Sequence, residues 1–185
     1  MELQVALEKR RAYRSLSPVM ITDKDIEAMA KAAQLAPSCF NKQPWRFVFV
    51  RGKSVLNEMH TALSKGNEWA YKASMMVAVL SKKEFDCVLA EREYYLFDTG
   101  MAVANLLLKA TELGYVTHPI AGYSHAKAKE ILSIPEDMTL ITIVNIGKLS
   151  DTIDNDLNER QIAEEKERPK RKELDEFVFY DKYSG

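Results

Sequence analysis

The sequence predicts a compact α+β domain, and three observations lead there. Short β-favouring apolar runs at Arg46–Arg51 (RFVFVR), Met75–Ser81 (MMVAVLS) and Leu140–Ile146 (LITIVNI) have the length and residue types of buried strands. They are interleaved with segments whose apolar residues recur at helical spacing, the longest being Glu93–Leu113. A length of 185 residues with 46% hydrophobic content suffices for one sizeable core.

Taken in order, Val5–Lys9 carries its apolar residues on one helical side. Thr22 or Asp23 can cap a second helix bearing Ile26, Met29, Ala30 and Ala33, and Pro37 stops it. The strand RFVFV follows, then a helical segment around Val55–Leu63 and the second strand. In Glu93–Leu113, Leu96, Ala104, Leu107 and Leu108 recur with Met101 and Val103, and Gly114 is placed to end the helix. Tyr115–Ile120 reads as extended, Ser124–Leu132 as a short helix, and the third strand is expected to stop at Gly147. Phe177–Tyr180 (FVFY) is a β-prone run stranded after a long polar stretch, and such a strand needs a sheet edge in this subunit or a partner.

Charge and composition exclude several classes. With 26 Lys+Arg against 27 Asp+Glu the net charge is -1, so no bulk field draws the protein to nucleic acid or an anionic membrane. No apolar window approaches the ~20 residues of a membrane span, and the amino terminus has no signal-peptide core, so the cytoplasm is the expected compartment. The two cysteines, Cys39 and Cys87, lack zinc-motif spacing and are too few for a disulfide scaffold, so no metal is expected.

Two clusters could carry chemistry. Arg10, Arg11 and Arg14 close the first helix; guanidinium forks suit bidentate phosphate recognition, though cations also favour a helix C-terminus and can simply be solvated. In APSCFNKQPW, the prolines stiffen a loop on which Ser38, Asn41 and Gln43 offer donors and acceptors suited to a polar heterocycle edge; an ordinary helix-to-strand turn with Trp45 in the core is the other reading.

The double arginine, APSCFNKQPWRF, Asn67 followed by Trp69, Asp98-Thr99-Gly100 leading into Asn105-Leu106-Leu107-Leu108, and Leu113-Gly114-Tyr115 with Pro119-Ile120-Ala121-Gly122 together resemble the FMN-dependent nitroreductase family in order and spacing, from about residue 8 to 180. APS-x-x-N-x-QPW is the most specific of these.

The resemblance implies a three-layer α-β-α sandwich over a mostly antiparallel sheet, in one domain spanning 1–185 with a charged excursion at 150–168. It implies a homodimer with FMN at the subunit interface and a carboxyl-terminal segment, 173–183, crossing to the partner's sheet. Arg10 and Arg11 would reach the FMN phosphate, and Arg14 the ribityl chain or the N1 edge. Pro37, Ser38, Cys39 and Asn41 would come from the other subunit, with Gln43 and Trp45 shaping the loop. Asn67 would bond the pyrimidine edge, unless it is a capping or turn residue. Pro119, Ile120, Ala121 and Gly122 would lie against the flavin, with a backbone N–H near Ala121 or Gly122 directed at N5. Arg171, within KERPKRK, would be a further phosphate ligand and its basic neighbours solvated; nucleic acid is the less favoured reading of that patch.

Ala12 stands where the family often has serine and Ala121 where it often has glutamate, departures that bear on cofactor contacts and substrate preference. His118 adjoins the flavin segment and is expected to be packed or hydrogen-bonded rather than a proton donor; Cys39 is expected to be a small packed residue. The implied activity is ping-pong hydride transfer from NADH or NADPH through flavin N5 to a nitroaromatic, quinone or similar electron-poor acceptor, with no side-chain catalyst. The alternatives are a protein that stores, senses or processes FMN, and an interaction module acting through 150–172. The excursion could form a helical lid.

Overall fold

In the computed structural model, which describes residues 1–185, the chain runs α1 (Leu3–Lys9), β1 (Leu16–Ser17), α2 (Asp23–Gln34), β2 (Arg46–Val50), α3 (Lys53–His60) and β3 (Met75–Ser81). It continues through a small hairpin, β4 (Val88–Leu89) and β5 (Arg92–Glu93), to α4 (Tyr94–Glu112), β6 (Val116–Ile120), α5 (His125–Ile131), β7 (Thr139–Leu149) and α6 (Glu159–Lys166). In the main sheet β7 pairs with β3 and with β6, β3 pairs with β2, and β1 joins the end of β7; every pairing is antiparallel.

All seven residues of β3 are buried, and their alternation divides them between two cores. Met75, Val77 and Val79 pack with Met29 and Ala33 of α2 and Ala102, Leu106 and Ala110 of α4. Met76, Ala78 and Leu80 pack on the opposite side with Leu56 and Met59 of α3, Ala128 of α5 and Trp69. A strand apolar on both faces must be covered on both, and the α-β-α layering follows. The register of β3 on β7 shifts between Val79 and Leu80, so that Leu140 and Ile143, three positions apart, face one core together.

Most boundaries follow the local chemistry. Thr22 caps α2 in a capping box with Asp25, α2 ends before the residue preceding Pro37, and Gly114 leaves α4 at φ +86°. Ser124 caps α5 by accepting from the Lys127 N–H.

Two expectations are corrected. The third strand does not stop at Gly147; it extends through Lys148 and Leu149, which pair with Ser17 and Leu16, because the segment after the arginines supplies a neighbour. Phe177–Tyr180 is not a strand within this protomer: a single 3-10 turn occupies Leu174–Glu176, and no edge of the main sheet receives the run that follows. Phe177 and Tyr180 are left exposed. No helix is long and apolar enough to cross a membrane.

Replacing Thr22 with Ala removes the hydroxyl that accepts the Asp25 N–H, leaves the backbone N–H of residue 22 on the Asp25 carboxylate, and should lower stability by about 1 kcal/mol, read as a lower urea midpoint at constant m-value. An unchanged midpoint would take the box out of the account of α2.

Candidate active site

The arginine segment leaves α1 in extended backbone at Arg10 and is tied down from three directions before it enters β1. The buried Glu165 carboxylate accepts the backbone N–H of Arg14 at 2.7 Å and of Ser15 at 3.1 Å. Arg14 pairs with Glu164 at 2.9 Å, and Arg11 donates to the carbonyls of Glu164 and Glu165 at 2.7 and 3.2 Å. The last contact sets a cation on the unpaired carbonyls at the C-terminal end of α6, where the helix dipole favours it. The charged excursion therefore does carry a helix, and α6 lies directly on the arginines.

Between them lies a cavity of about 190 Å³ whose wall includes Arg10, Arg11, Ala12 and Arg14. His118, Arg168 and Arg171 complete much of the lining. Arg10, Arg168 and Arg171 make no ion pair in the protomer, and the Arg10 guanidinium is held below its usual pKa by burial and then by the charges of Arg168 and Arg171. Three guanidiniums lining one small polar cavity are a donor set whose forks match an oxyanion such as phosphate.

Arg168, read from sequence as one of several solvated cations, is the residue missed. It donates to the Arg10 carbonyl at 3.0 Å and to that of Glu8, fastening the end of α6 to the end of α1. Nothing in KERPKRK separates it from its neighbours; Lys170 and Lys172 are exposed, as expected.

His118 is packed, as anticipated. Its ring packs tilted against Trp69 at a centroid distance of 4.5 Å, and Nδ1 lies 3.1 Å from the Tyr13 carbonyl, to which it donates. Burial drives its pKa down to about 4 against the partial support of Tyr13, and the nearby Arg14 and Arg10 act in the same direction as burial. The neutral ring is thus a spacer that hangs the arginine segment on β6, not a proton donor near neutrality.

Asn67 and Gly122 meet. The Asn67 side-chain amide donates to the Gly122 carbonyl at 2.9 Å, the Ser64 N–H donates to the same oxygen at 2.9 Å, and Asn67 makes no capping bond. A Cβ at residue 122 would fall 2.4 Å from Asn67 Nδ2, so only glycine permits this approach. Pro119 and Ile120 are the last two residues of β6, and the exposed Ala121 leads from them to Gly122.

The Pro37–Asn41 loop stands apart; none of Pro37, Ser38, Cys39 and Asn41 lines the arginine cavity. Ser38 Oγ accepts the Gln43 N–H at 2.9 Å, while Gln43 reaches back to the Asn41 side chain at 3.2 Å. Phe40, Asn41 and Gln43 all have positive φ, between 48° and 56°, and Trp45 is in the core. Gln43 and Trp45 thus do shape the loop. Its polar side chains sit on a strained, partly exposed rim.

A sequence profile described as the Nitroreductase family matches residues 7–80 and 56–148, and the chain belongs to that family. A provisionally named NADH dehydrogenase/NAD(P)H nitroreductase of Archaeoglobus fulgidus is 33% identical over 153 residues, covering 78% of this chain and 84% of its own. A crystal structure described as an oxidoreductase containing FMN superposes with a TM-score of 0.85 at 28% identity, covering 97% of this chain and 92% of that one. A provisionally named nitroreductase from Exiguobacterium sibiricum, crystallised with FMN, shares the fold with a TM-score of 0.74 at 22% identity, over 82% of this chain and 90% of that one.

Three outcomes test this geometry. Glu165→Ala leaves two backbone N–H groups without their acceptor; stability should drop by about 2–3 kcal/mol and hydrogen exchange in α6 should accelerate, whereas unchanged α6 protection would remove Glu165 as its anchor. The His118 ring should show neutral NMR signals between about pH 5 and 8. Because its folded pKa of about 4 lies below the ordinary 6.5, its contribution to stability is full above 6.5 and lost as pH falls from there through 4; titration near 6.5 would contradict the buried ring. Gly122→Ala should displace the Asn67 amide, visible as a shifted side-chain NH₂ resonance, and an unmoved resonance would rule out the close approach.

Proposed function

We propose that the chain is an FMN-dependent NAD(P)H oxidoreductase that reduces a nitroaromatic, quinone or similar electron-poor acceptor by a ping-pong cycle. The observation that carries the reading is the cavity on which Arg10, Arg168 and Arg171 converge. Its donor set fits a phosphate monoester, and the lack of a side chain at Gly122 lets the Asn67 amide lie against the turn after β6. FMN, when bound, supplies the two-electron chemistry, taking hydride from NADH or NADPH and passing it to the acceptor.

The chain's own work is binding, orientation and electrostatics. Arg10 and Arg171, with Arg168, would hold the phosphate; Arg11 and Arg14 would form the adjoining cationic wall while anchoring α6. Asn67 would offer its amide to the pyrimidine edge, and the backbone of Pro119, Ile120, Ala121 and Gly122 would lie along the ring system with an N–H near N5. The neutral His118 would not donate a proton near neutrality, and Glu164, which also lines the cavity, is paired with Arg14.

A volume of about 190 Å³ suits a phosphate group and its first atoms, below the roughly 300–1,000 Å³ of a complete small-molecule pocket. This supports a site completed by a second copy of the chain, whose Pro37, Ser38, Cys39 and Asn41 would face the cofactor. The homodimer would also cover the apolar groove formed by Leu3, Ala6, Ala32, Leu35 and Leu108, and would give Phe177–Tyr180, within 173–183, the sheet edge it lacks.

Protein loaded with FMN and desalted should keep its visible flavin band, lose it on anaerobic addition of NADPH or NADH, and regain it with a nitroaromatic or quinone. A retained band that neither nucleotide bleaches would refute the reductase cycle. Arg10→Ala should weaken FMN retention by roughly 1.5–3 kcal/mol, typical of a lost charge-assisted contact; unchanged affinity would take Arg10 out of the phosphate site.

A further inference from the structure

Away from the arginine cavity, the loop before β2 and the strap after β3 bring Cys39 to Asp86 and Cys87, which the sequence keeps far from it. Cys39 Sγ, Cys87 Sγ and an Asp86 carboxylate oxygen all lie within 4.8 Å of one another. Both cysteines are free thiols, Cys87 buried and Cys39 half-buried. Asp86 Oδ2 is buried without a hydrogen-bond partner, whereas Oδ1 accepts the Cys87 N–H at 2.8 Å. Beside the Asp98 carboxylate and the two thiols, this buried carboxylate oxygen without a donor is costly, and a cation held between it and the sulfurs would satisfy it.

We propose that Cys39, Cys87 and Asp86 form a binding site for one thiophilic divalent cation of the zinc type, with the fourth coordination position left to water or another small ligand. Two sulfurs and one carboxylate oxygen are a donor set that zinc accepts, and three protein ligands with one open position is an established coordination pattern. With Zn–S near 2.3 Å, a tetrahedral S···S edge is about 3.8 Å, so closure of about 1 Å from the 4.8 Å spread suffices. Binding converts both thiols to thiolates and releases two protons to solvent; no electrons move.

The supporting groups are those a metal site uses. Asp98, almost wholly buried at the start of α4, accepts the Cys39 backbone N–H at 2.6 Å and holds that ligand in place. The Oδ1 bond to the Cys87 N–H orients Asp86 so that Oδ2 is the free donor. A cation here would clip the Pro37–Asn41 loop, with its positive-φ residues, to the strap that leads into α4. The inference needs neither FMN nor a dimer.

The test uses the full-length protein reduced with a phosphine, equilibrated with zinc chloride, desalted and assayed for metal by mass spectrometry, with a chromophoric chelator as competitor. About one zinc per chain is expected, held roughly tenfold or more tightly than by Cys39→Ser, Cys87→Ser or Asp86→Asn. In the wild type, where folding is not in question, zinc should also slow alkylation of both cysteines. Equal zinc content in wild type and Cys39→Ser, or no protection from alkylation, would overturn the site. So would failure of the reduced wild type to retain zinc; if dilute hydrogen peroxide then joined Cys39 to Cys87 with the loss of two hydrogens, the pair would be a redox couple instead.

Discussion

The central pair of strands, β3 against β7, has apolar side chains on both faces, and that constraint organises everything else. Helices α2 and α4 must close one side and α3 and α5 the other, so connecting segments can carry polar function only at the ends and rims of the sheet. The arginine segment, the turn after β6 and the loop before β2 all occupy such places. A rigid, doubly covered sheet lets extended backbone such as Arg10–Ser15 hold a defined course without secondary structure of its own.

Around the arginines, electrostatics is a division of labour. Two carboxylates and the carbonyl end of α6 engage Arg11, Arg14 and the backbone of residues 14 and 15. Arg10, Arg168 and Arg171 line the cavity without an ion pair, and Arg168 also donates to the Glu8 and Arg10 carbonyls. The first set fixes geometry, the second supplies potential, and Arg168 does both. Glu165 can do its part because a buried carboxylate with two backbone donors is compensated by hydrogen bonds. The same α6 that contributes Glu164 to the cavity wall is bonded to Arg11, Arg14 and Ser15, and also to Gly66 and the core through Gln161 and Ile162, so helix and arginine segment hold each other.

The layers were legible because both signals are local. Short β-favouring apolar runs in β3 and β7, helical spacing in α4, the Thr22 box and the stop at Gly114 depend on a few neighbouring residues. The arginines, Asn67 and the Pro119–Gly122 turn were legible as members of an ordered set of motifs. Arg168 was not, because a guanidinium in a charged run looks the same whether it meets water or the carbonyls of Glu8 and Arg10. Nor was the strand state of Phe177–Tyr180, whose apolar pattern specifies a preference for pairing and not the chain that provides the edge.

By itself the sequence determined the order of the main elements, an α+β domain, and, through residues dispersed over most of the chain, a family resemblance that implies the three layers. Only the tertiary structure decided which of the cavity's arginines are bonded to α6 and which make no ion pair, that the packed His118 is held neutral, and that Cys39 meets Asp86 and Cys87. The physical reason is range. Periodicity and capping are written within a turn or two of the chain, whereas the state of a charged or thiol side chain depends on groups brought to within a few ångströms from remote positions, and on how much water is left between them.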